Sequence, residues 1–97
     1  MRIISRKALR TYWEKHPESK EVLVDFFNKL KRITPKSIAE LRRTFPSADA
    51  VGDCTVLNVG GNEYRVITHV DYQVQIAFIR FVLSHAEYDK DKWKTDC

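Results

Sequence analysis

The sequence contains little cysteine, glycine or proline and no long apolar run, and each shortage argues against a class of protein. Its 97 residues include two cysteines, three glycines and three prolines. Two cysteines cannot build a disulfide framework and give no C-x-x-C metal motif, so we expect Cys54 to be a small buried residue and Cys97 to lie on a mobile terminus. No stretch approaches the ~20 apolar residues of a membrane span. Residues 1–7 lack the apolar core of a signal peptide, which predicts a cytoplasmic protein.

Length and charge indicate a small basic protein with one core. We expect residues 1–97 to form a single domain, because the chain shows no repeat, low-complexity segment or Gly/Ser-rich linker. Lysine and arginine total 17 against 13 aspartate and glutamate residues, which gives a net charge of +4. That excess suits a polyanionic partner such as RNA or DNA, although charge alone is a weak indicator.

The first half of the chain has helical periodicity. Residues 2–4 predict a short strand, and apolar residues then recur at helical spacing in three segments. The first helix begins after Ser5 and ends near His16, and the second begins at Pro17. An S-x-x-E capping box that starts at Ser37 predicts a short third helix.

After a predicted loop at residues 47–53, the spacing changes to that of β-strands. Residues 60–62, Gly-Gly-Asn, predict a hairpin turn, and residues 74–83 predict a long strand after a second turn. Ser84 starts another S-x-x-E capping box, which predicts a short C-terminal helix. The fold is therefore α+β: an antiparallel sheet of three to four strands, packed on the N-terminal helices, with its other face free to bind.

Polar residues inside the apolar strands are the first candidates for a binding site. Arg65 and Arg80 each lie within a predicted strand, where an unpaired buried arginine is unfavourable. Each is either a phosphate-binding group or a side chain that lies on a solvated sheet face or pairs with an acid such as Glu63. His85 and Tyr88 share one side of the last helix. No metal or cofactor is expected, because the three histidines are far apart and the Gly-Gly turn lacks a phosphate-loop ending.

Two motifs resemble the HigB family of bacterial toxins. The first is N-V-G-G-N-x-x-R, from Asn58 to Arg65, and the second is H-x-E-Y-D, from His85 to Asp89. The opening residues and the Leu-Arg-Arg-Thr-Phe-Pro region fit as well, so the resemblance covers nearly the whole chain. It implies a RelE-like fold and a metal-independent endoribonuclease that cuts mRNA, usually in the ribosomal A site. The implied partner is a helix-turn-helix antitoxin of the HigA type.

The resemblance also implies roles for individual residues. Arg65 is expected to contact the scissile phosphate, and His85 and Tyr88 to act as acid, base or stacking group. Metal-free cleavage uses the RNA 2′-OH as nucleophile and needs a cation, a proton acceptor and a proton donor. Residues 55–58 lack the lysines that RelE-like enzymes often carry in the second strand, so the general base stays open among Glu63, His69 and His85.

The remaining basic residues are candidates for holding the RNA. They lie in the third helix, the last strand and the C-terminal segment: Arg42, Arg43, Arg80, Lys90 and Lys92. Two other functions fit the same sequence. One is a non-catalytic RNA- or ribosome-binding module, and the other is a protein-interaction domain whose basic face binds an acidic partner.

Overall fold

Helices from the first half of the chain cover one face of a five-stranded mixed sheet. The computed structural model describes residues 1–97 and confirms the α+β class, the N-terminal helical layer and the short C-terminal helix. The elements are β1 (Arg2–Ile4), α1 (Arg6–Lys15), α2 (Lys20–Lys31), α3 (Ile38–Thr44), β2 (Asp49–Val51), β3 (Cys54–Val59), β4 (Tyr64–Asp71), β5 (Ile76–Ser84) and α4 (His85–Asp89). Short 3₁₀ turns occupy Pro17–Ser19 and Lys92–Asp96. None of the helices has both the length and the apolar composition that crossing a membrane would require.

The sheet has more strands than the sequence predicted, and their order is β1-β5-β4-β3-β2. The predicted loop at residues 47–53 is wrong in part, because β2 lies there and pairs antiparallel with β3. Its three residues are too few to show a strand period, so pairing with β3 determines their conformation. β1 pairs parallel with β5, which makes the sheet mixed.

The main hydrophobic core lies between the sheet and the helices. The apolar stripes of α1 and α2 contribute Leu9, Trp13, Leu23, Phe26 and Leu30, all buried. Leu57, Val59, Tyr64, Val66 and Ala77 face them from the sheet. β4 therefore alternates between two faces, and its even-numbered residues face the helices. Arg65 and Ile67 lie on the opposite face.

Arg80 lies at an irregularity in the pairing of β4 with β5. Ile67 pairs with Phe81 and Thr68 pairs with Ile79, so Arg80 has no partner residue in β4. An extra residue of this kind reverses the alternation of side chains along a strand. Ile79 before it and Val82 after it consequently face the same core. The β-bulge explains why β5 does not show a simple alternating pattern in sequence.

The C-terminal segment folds back across the face of the sheet that lacks helices. Trp93 is buried there in a second cluster with Cys54, Val56 and Ile67. This packing brings Cys97 to Cys54, and the two form a disulfide. Gly52 permits the approach, since a side chain at this residue would collide with the Cys97 carbonyl group. The prediction of a mobile Cys97 is therefore wrong, and the free sheet face is partly covered.

The disulfide should contribute strongly to stability. A cross-link between residues separated by 43 positions lowers the entropy of the unfolded chain, which corresponds to about 4 kcal/mol in the chain-entropy model. Cys97→Ser should therefore lower the free energy of unfolding, measured by urea denaturation. A thiol reductant should lower it in the original chain and have no effect on the variant. An unchanged denaturation midpoint in reductant would contradict this role of the bond.

Candidate active site

Arg65 lies immediately after the β3–β4 hairpin, where the turn determines its position. Gly60 and Gly61 adopt positive φ angles of 63° and 68°, and Val59 pairs with Tyr64 across the hairpin. The Arg65 side chain is 8% exposed, so the description of a solvated strand arginine is wrong. Its Nη1 donates to the carbonyl oxygens of Asn62 at 2.9 Å and Tyr64 at 3.2 Å. Nε and Nη2 make no hydrogen bond within the protein and are not fully buried.

Tyr88 covers the guanidinium group of Arg65. The Arg65 Cζ lies 5.1 Å from the centroid of the Tyr88 ring, which is a cation–π distance. On its other side, the Tyr88 ring stacks on the indole of Trp93, with ring centroids 5.0 Å apart and an interplanar angle of 15°. The Trp93 indole N–H also donates to the Tyr88 carbonyl oxygen at 2.9 Å. We call Arg65, Tyr88 and Trp93 the Arg65 stack.

His85 begins α4 and faces a different surface. The capping box between Ser84 and Glu87 fixes the start of this helix, as the sequence predicted. The His85 Nδ1 lies 2.9 Å from a carboxylate oxygen of Asp89, one helical turn away. Its backbone N–H donates to the Glu63 carbonyl oxygen at 2.9 Å, which ties α4 to the hairpin. No hydrogen bond or ring contact joins the His85 side chain to Arg65.

Lys90 and Lys92 lie near the Arg65 stack. Both are exposed and line a cavity of about 300 Å³ together with Trp93 and Leu83. Leu83 is the residue of β5 that pairs with Arg65. Glu87 and Asp96 line the same cavity, so the two lysines stand beside two carboxylates on the sheet face that carries Arg65.

The other three basic candidates lie elsewhere. Arg80 is exposed beside α1, where it lines a shallow pocket with Thr11 and Lys15. The Nε of Arg42 donates to the Ala48 carbonyl oxygen at 2.9 Å, in the segment that follows α3. Arg43 is exposed on the same helix.

No hydrogen bond or ring contact joins Arg42 or Arg43 to the Arg65 stack. The structure therefore brings Arg65, Tyr88, Lys90 and Lys92 together, while Arg42 is bonded to the segment after α3.

The three candidate bases also separate. Glu63 is exposed on the hairpin, and with His85 it lines a cleft at the same end of the sheet as Arg65. His69 lies in β4, four residues after Arg65, and its Nδ1 is 2.9 Å from the carbonyl oxygen of Asp53. No group of three or more His, Cys, Asp or Glu side chains is arranged to hold a metal ion.

The sequence did not reveal the role of Trp93. Trp93 is 3% exposed and supports Tyr88 by stacking on it. Tyr88 and Trp93 are five residues apart across the end of α4, and this spacing matches neither helical nor strand periodicity. The lone aromatic in a charged C-terminal segment was the one signal that this segment returns to the core.

Comparisons with known proteins agree on one family. Residues 19–91 match the family model described as HigB_toxin, RelE-like toxic component of a toxin-antitoxin system. The mRNA interferase toxin HigB of Escherichia coli is 39% identical over 92 residues, which covers 92% of this chain and 88% of that protein. The mRNA interferase HigB of Shigella flexneri gives the same values. A further Escherichia coli protein named mRNA interferase HigB is 31% identical over 93% of this chain and 90% of its own length.

Both the family model and these relatives extend across the hairpin, Arg65 and α4, which form the candidate site. The chain therefore belongs to the HigB family of RelE-like toxins, the toxic components of toxin–antitoxin systems.

Proposed function

We propose that this chain is an endoribonuclease toxin that cleaves mRNA and so inhibits translation. The relatives named mRNA interferase support the activity. The observation that carries the proposal is the Arg65 stack. A guanidinium held by two carbonyl oxygens and an aromatic ring keeps its Nε and Nη2 donors available. Such a preorganised cation is suited to a phosphate whose negative charge grows during the reaction.

The proposed chemistry requires no metal ion. The 2′-OH of the RNA attacks the adjacent phosphorus, and the bond to the 5′-oxygen of the next nucleotide breaks. Arg65 stabilises the charge on the phosphorane, while Lys90 and Lys92 bind neighbouring phosphates. Glu63 or His85, both at this end of the sheet, accepts the 2′-OH proton. Tyr88 donates a proton to the leaving oxygen, or it acts only by stacking on the Arg65 guanidinium and holding it in place.

The partners follow from the same proposal. We infer that the mRNA is cut in the ribosomal A site, which places the protein in the cytoplasm. The antitoxin is proposed to be a helix-turn-helix protein of the HigA type. A non-catalytic RNA-binding module remains distinguishable, because it would bind RNA without producing new ends.

Arg65→Ala should reduce the rate of cleavage ~10²–10³-fold, the typical effect of losing a charge-stabilising contact. The measurement is single-turnover cleavage of mRNA on programmed ribosomes. Because Arg65 is buried, the variant also removes the hydrogen bonds that its guanidinium donates to two carbonyl oxygens, and we expect a loss of about 1–3 kcal/mol in folding stability. Arg65→Lys keeps the charge and should recover part of the rate.

The matched control for this experiment is Arg2→Ala, which removes one exposed positive charge from β1. It should cleave at the original rate. Circular dichroism shows which variants are folded at the assay temperature. A folded Arg65→Ala variant that cleaves as fast as the original chain would place the site elsewhere.

Substitutions of Tyr88 separate proton transfer from stacking. Tyr88→Phe retains the ring between Arg65 and Trp93 and loses the hydroxyl group, whereas Tyr88→Leu loses the ring as well. If Tyr88 transfers a proton, both variants should be slowed about 10²-fold or more in the same assay. If it stacks, Tyr88→Phe should be nearly as fast as the original chain and Tyr88→Leu slow. Full activity of both would remove Tyr88 from the mechanism.

The ends of the cleaved RNA test the proposed nucleophile. Attack by the 2′-OH leaves a 5′-hydroxyl on one fragment and a 2′,3′-cyclic phosphate or 3′-phosphate on the other. Mass spectrometry of the fragments identifies these ends. Cleavage should also persist at the lowest magnesium concentration that keeps the ribosomes intact. A 5′-phosphate product would mean that water is the nucleophile.

A further inference from the structure

A cleft separate from the Arg65 stack lies where α1, the Pro17–Ser19 turn, the β3–β4 hairpin and α4 meet. Its volume is about 530 Å³. Residues 84–86 form part of its wall, and the rest consists of Tyr12, His16, Glu18, Glu63, Tyr64 and Glu87. We call this the Tyr12 cleft.

The charge of the Tyr12 cleft is opposite to that of the whole chain. Three carboxylates line it, from Glu18, Glu63 and Glu87. None of its lining residues is lysine or arginine, although the chain has 17 of these and a net charge of +4. The Ser84 backbone N–H holds the pKa of Glu87 below its usual range, so this carboxylate stays charged. A cation would be attracted to these carboxylates.

Tyr64 gives an independent indication of a ligand. It lines the Tyr12 cleft, is 7% exposed, and its hydroxyl group makes no hydrogen bond within the protein. The hydroxyl oxygen is an accessible part of this otherwise buried side chain, so it is free to accept a hydrogen bond from a ligand in the cleft. Tyr12 also lines the cleft and has no hydrogen bond from its hydroxyl group.

Both phenols are neutral acceptors under ordinary conditions. Burial raises the pKa of Tyr12 to about 12, and the charges of Glu87, Tyr64 and Glu18 add to the effect. Burial also raises the pKa of Tyr64, with contributions from Glu18 and Glu63. The Tyr12 and Tyr64 rings meet edge to face with their centroids 6.0 Å apart. The Tyr12 ring also stacks on the His16 ring, with centroids 4.4 Å apart. The cleft therefore combines aromatic walls with carboxylates.

We propose that the Tyr12 cleft binds an arginine side chain of the antitoxin. A guanidinium group has five N–H donors and no acceptor, which matches a site with three carboxylates and two phenol oxygens. Its planar face also suits aromatic walls. The family of this chain supplies a protein partner, since its members are toxic components of toxin–antitoxin systems. The proposal rests on that family membership.

The test is a Glu18→Gln, Glu87→Gln double variant, which removes two negative charges from the cleft. Glutamine at residue 87 keeps the capping box of α4, and the Glu18 side chain is 66% exposed, so the fold should be retained. Affinity for the antitoxin encoded beside this chain is measured by isothermal titration calorimetry. The double variant should bind about tenfold more weakly or worse. Unchanged affinity would overturn the proposal.

Glu21→Gln is the matched control, because it removes a carboxylate three residues from Glu18 and outside the cleft. It should bind the antitoxin with the original affinity. A short RNA oligonucleotide provides the second arm of the test. If the double variant binds this RNA more weakly and the antitoxin normally, the cleft serves RNA and the proposal is wrong.

Substitutions in the antitoxin then identify the arginine. Each of its arginines is changed to alanine and titrated against both the original chain and the double variant. For one of them, the loss of affinity seen with the original chain should nearly disappear with the double variant, which shows coupling of the two sites. Lysine at that residue should restore part of the affinity. If, for every arginine, the loss of affinity is the same with the original chain and with the double variant, the proposal is overturned.

Discussion

The register between β4 and β5 is the constraint on which both surfaces of this protein depend. Tyr64 pairs with Ser84, and Arg65 pairs with Leu83. Consecutive side chains of a strand point to opposite faces, so this register sends Tyr64 toward the helices and Arg65 to the other face. Because β5 runs directly into α4, the same register also determines where that helix begins. A slip of one residue would exchange the two faces and separate Arg65 from Tyr88.

The far face of the sheet is completed by a segment with little regular structure of its own. Residues 90–97 contain one 3₁₀ turn, and they are held by Trp93 and by the bond between Cys97 and Cys54. Burial of the indole ring covers Val56 and Ile67, which would otherwise be exposed to water. The same ring supports Tyr88 over Arg65. Stability of the sheet face and preorganisation of the candidate site therefore have the same physical origin.

Local signals in the sequence predicted most of the elements. The S-x-x-E segments at Ser37 and Ser84 both begin helices: the Ser37 side chain accepts from the Glu40 N–H, and Ser84 forms a full capping box with Glu87. The Gly-Gly-Asn segment forms the predicted hairpin. These features depend on residues close together in the chain, so their physics is readable from a short window. β2 and the bulge at Arg80 depend instead on pairing with another strand, and no short window contains that information.

The candidate site was predictable to a smaller extent for the same reason. Hairpin geometry places Arg65 beside the end of β5, and this part of the arrangement follows from the element order. Its burial does not, because the cover comes from Tyr88 and Trp93 on a segment that returns across the sheet. The position of Cys97 depends on the same segment. The buried indole of Trp93 anchors the chain terminus, and the disulfide with Cys54 then forms.

The helix α4 connects the two surfaces. It is five residues long, and residues three apart on it serve different sites. His85 lines the Tyr12 cleft, while Tyr88 lies over Arg65. Glu87 caps the helix through Ser84 and is also one of the acids of the cleft. A group bound in the cleft therefore contacts the helix that positions Tyr88. So short a helix has few internal hydrogen bonds, so its position depends on its capping box and on β5, which runs into it.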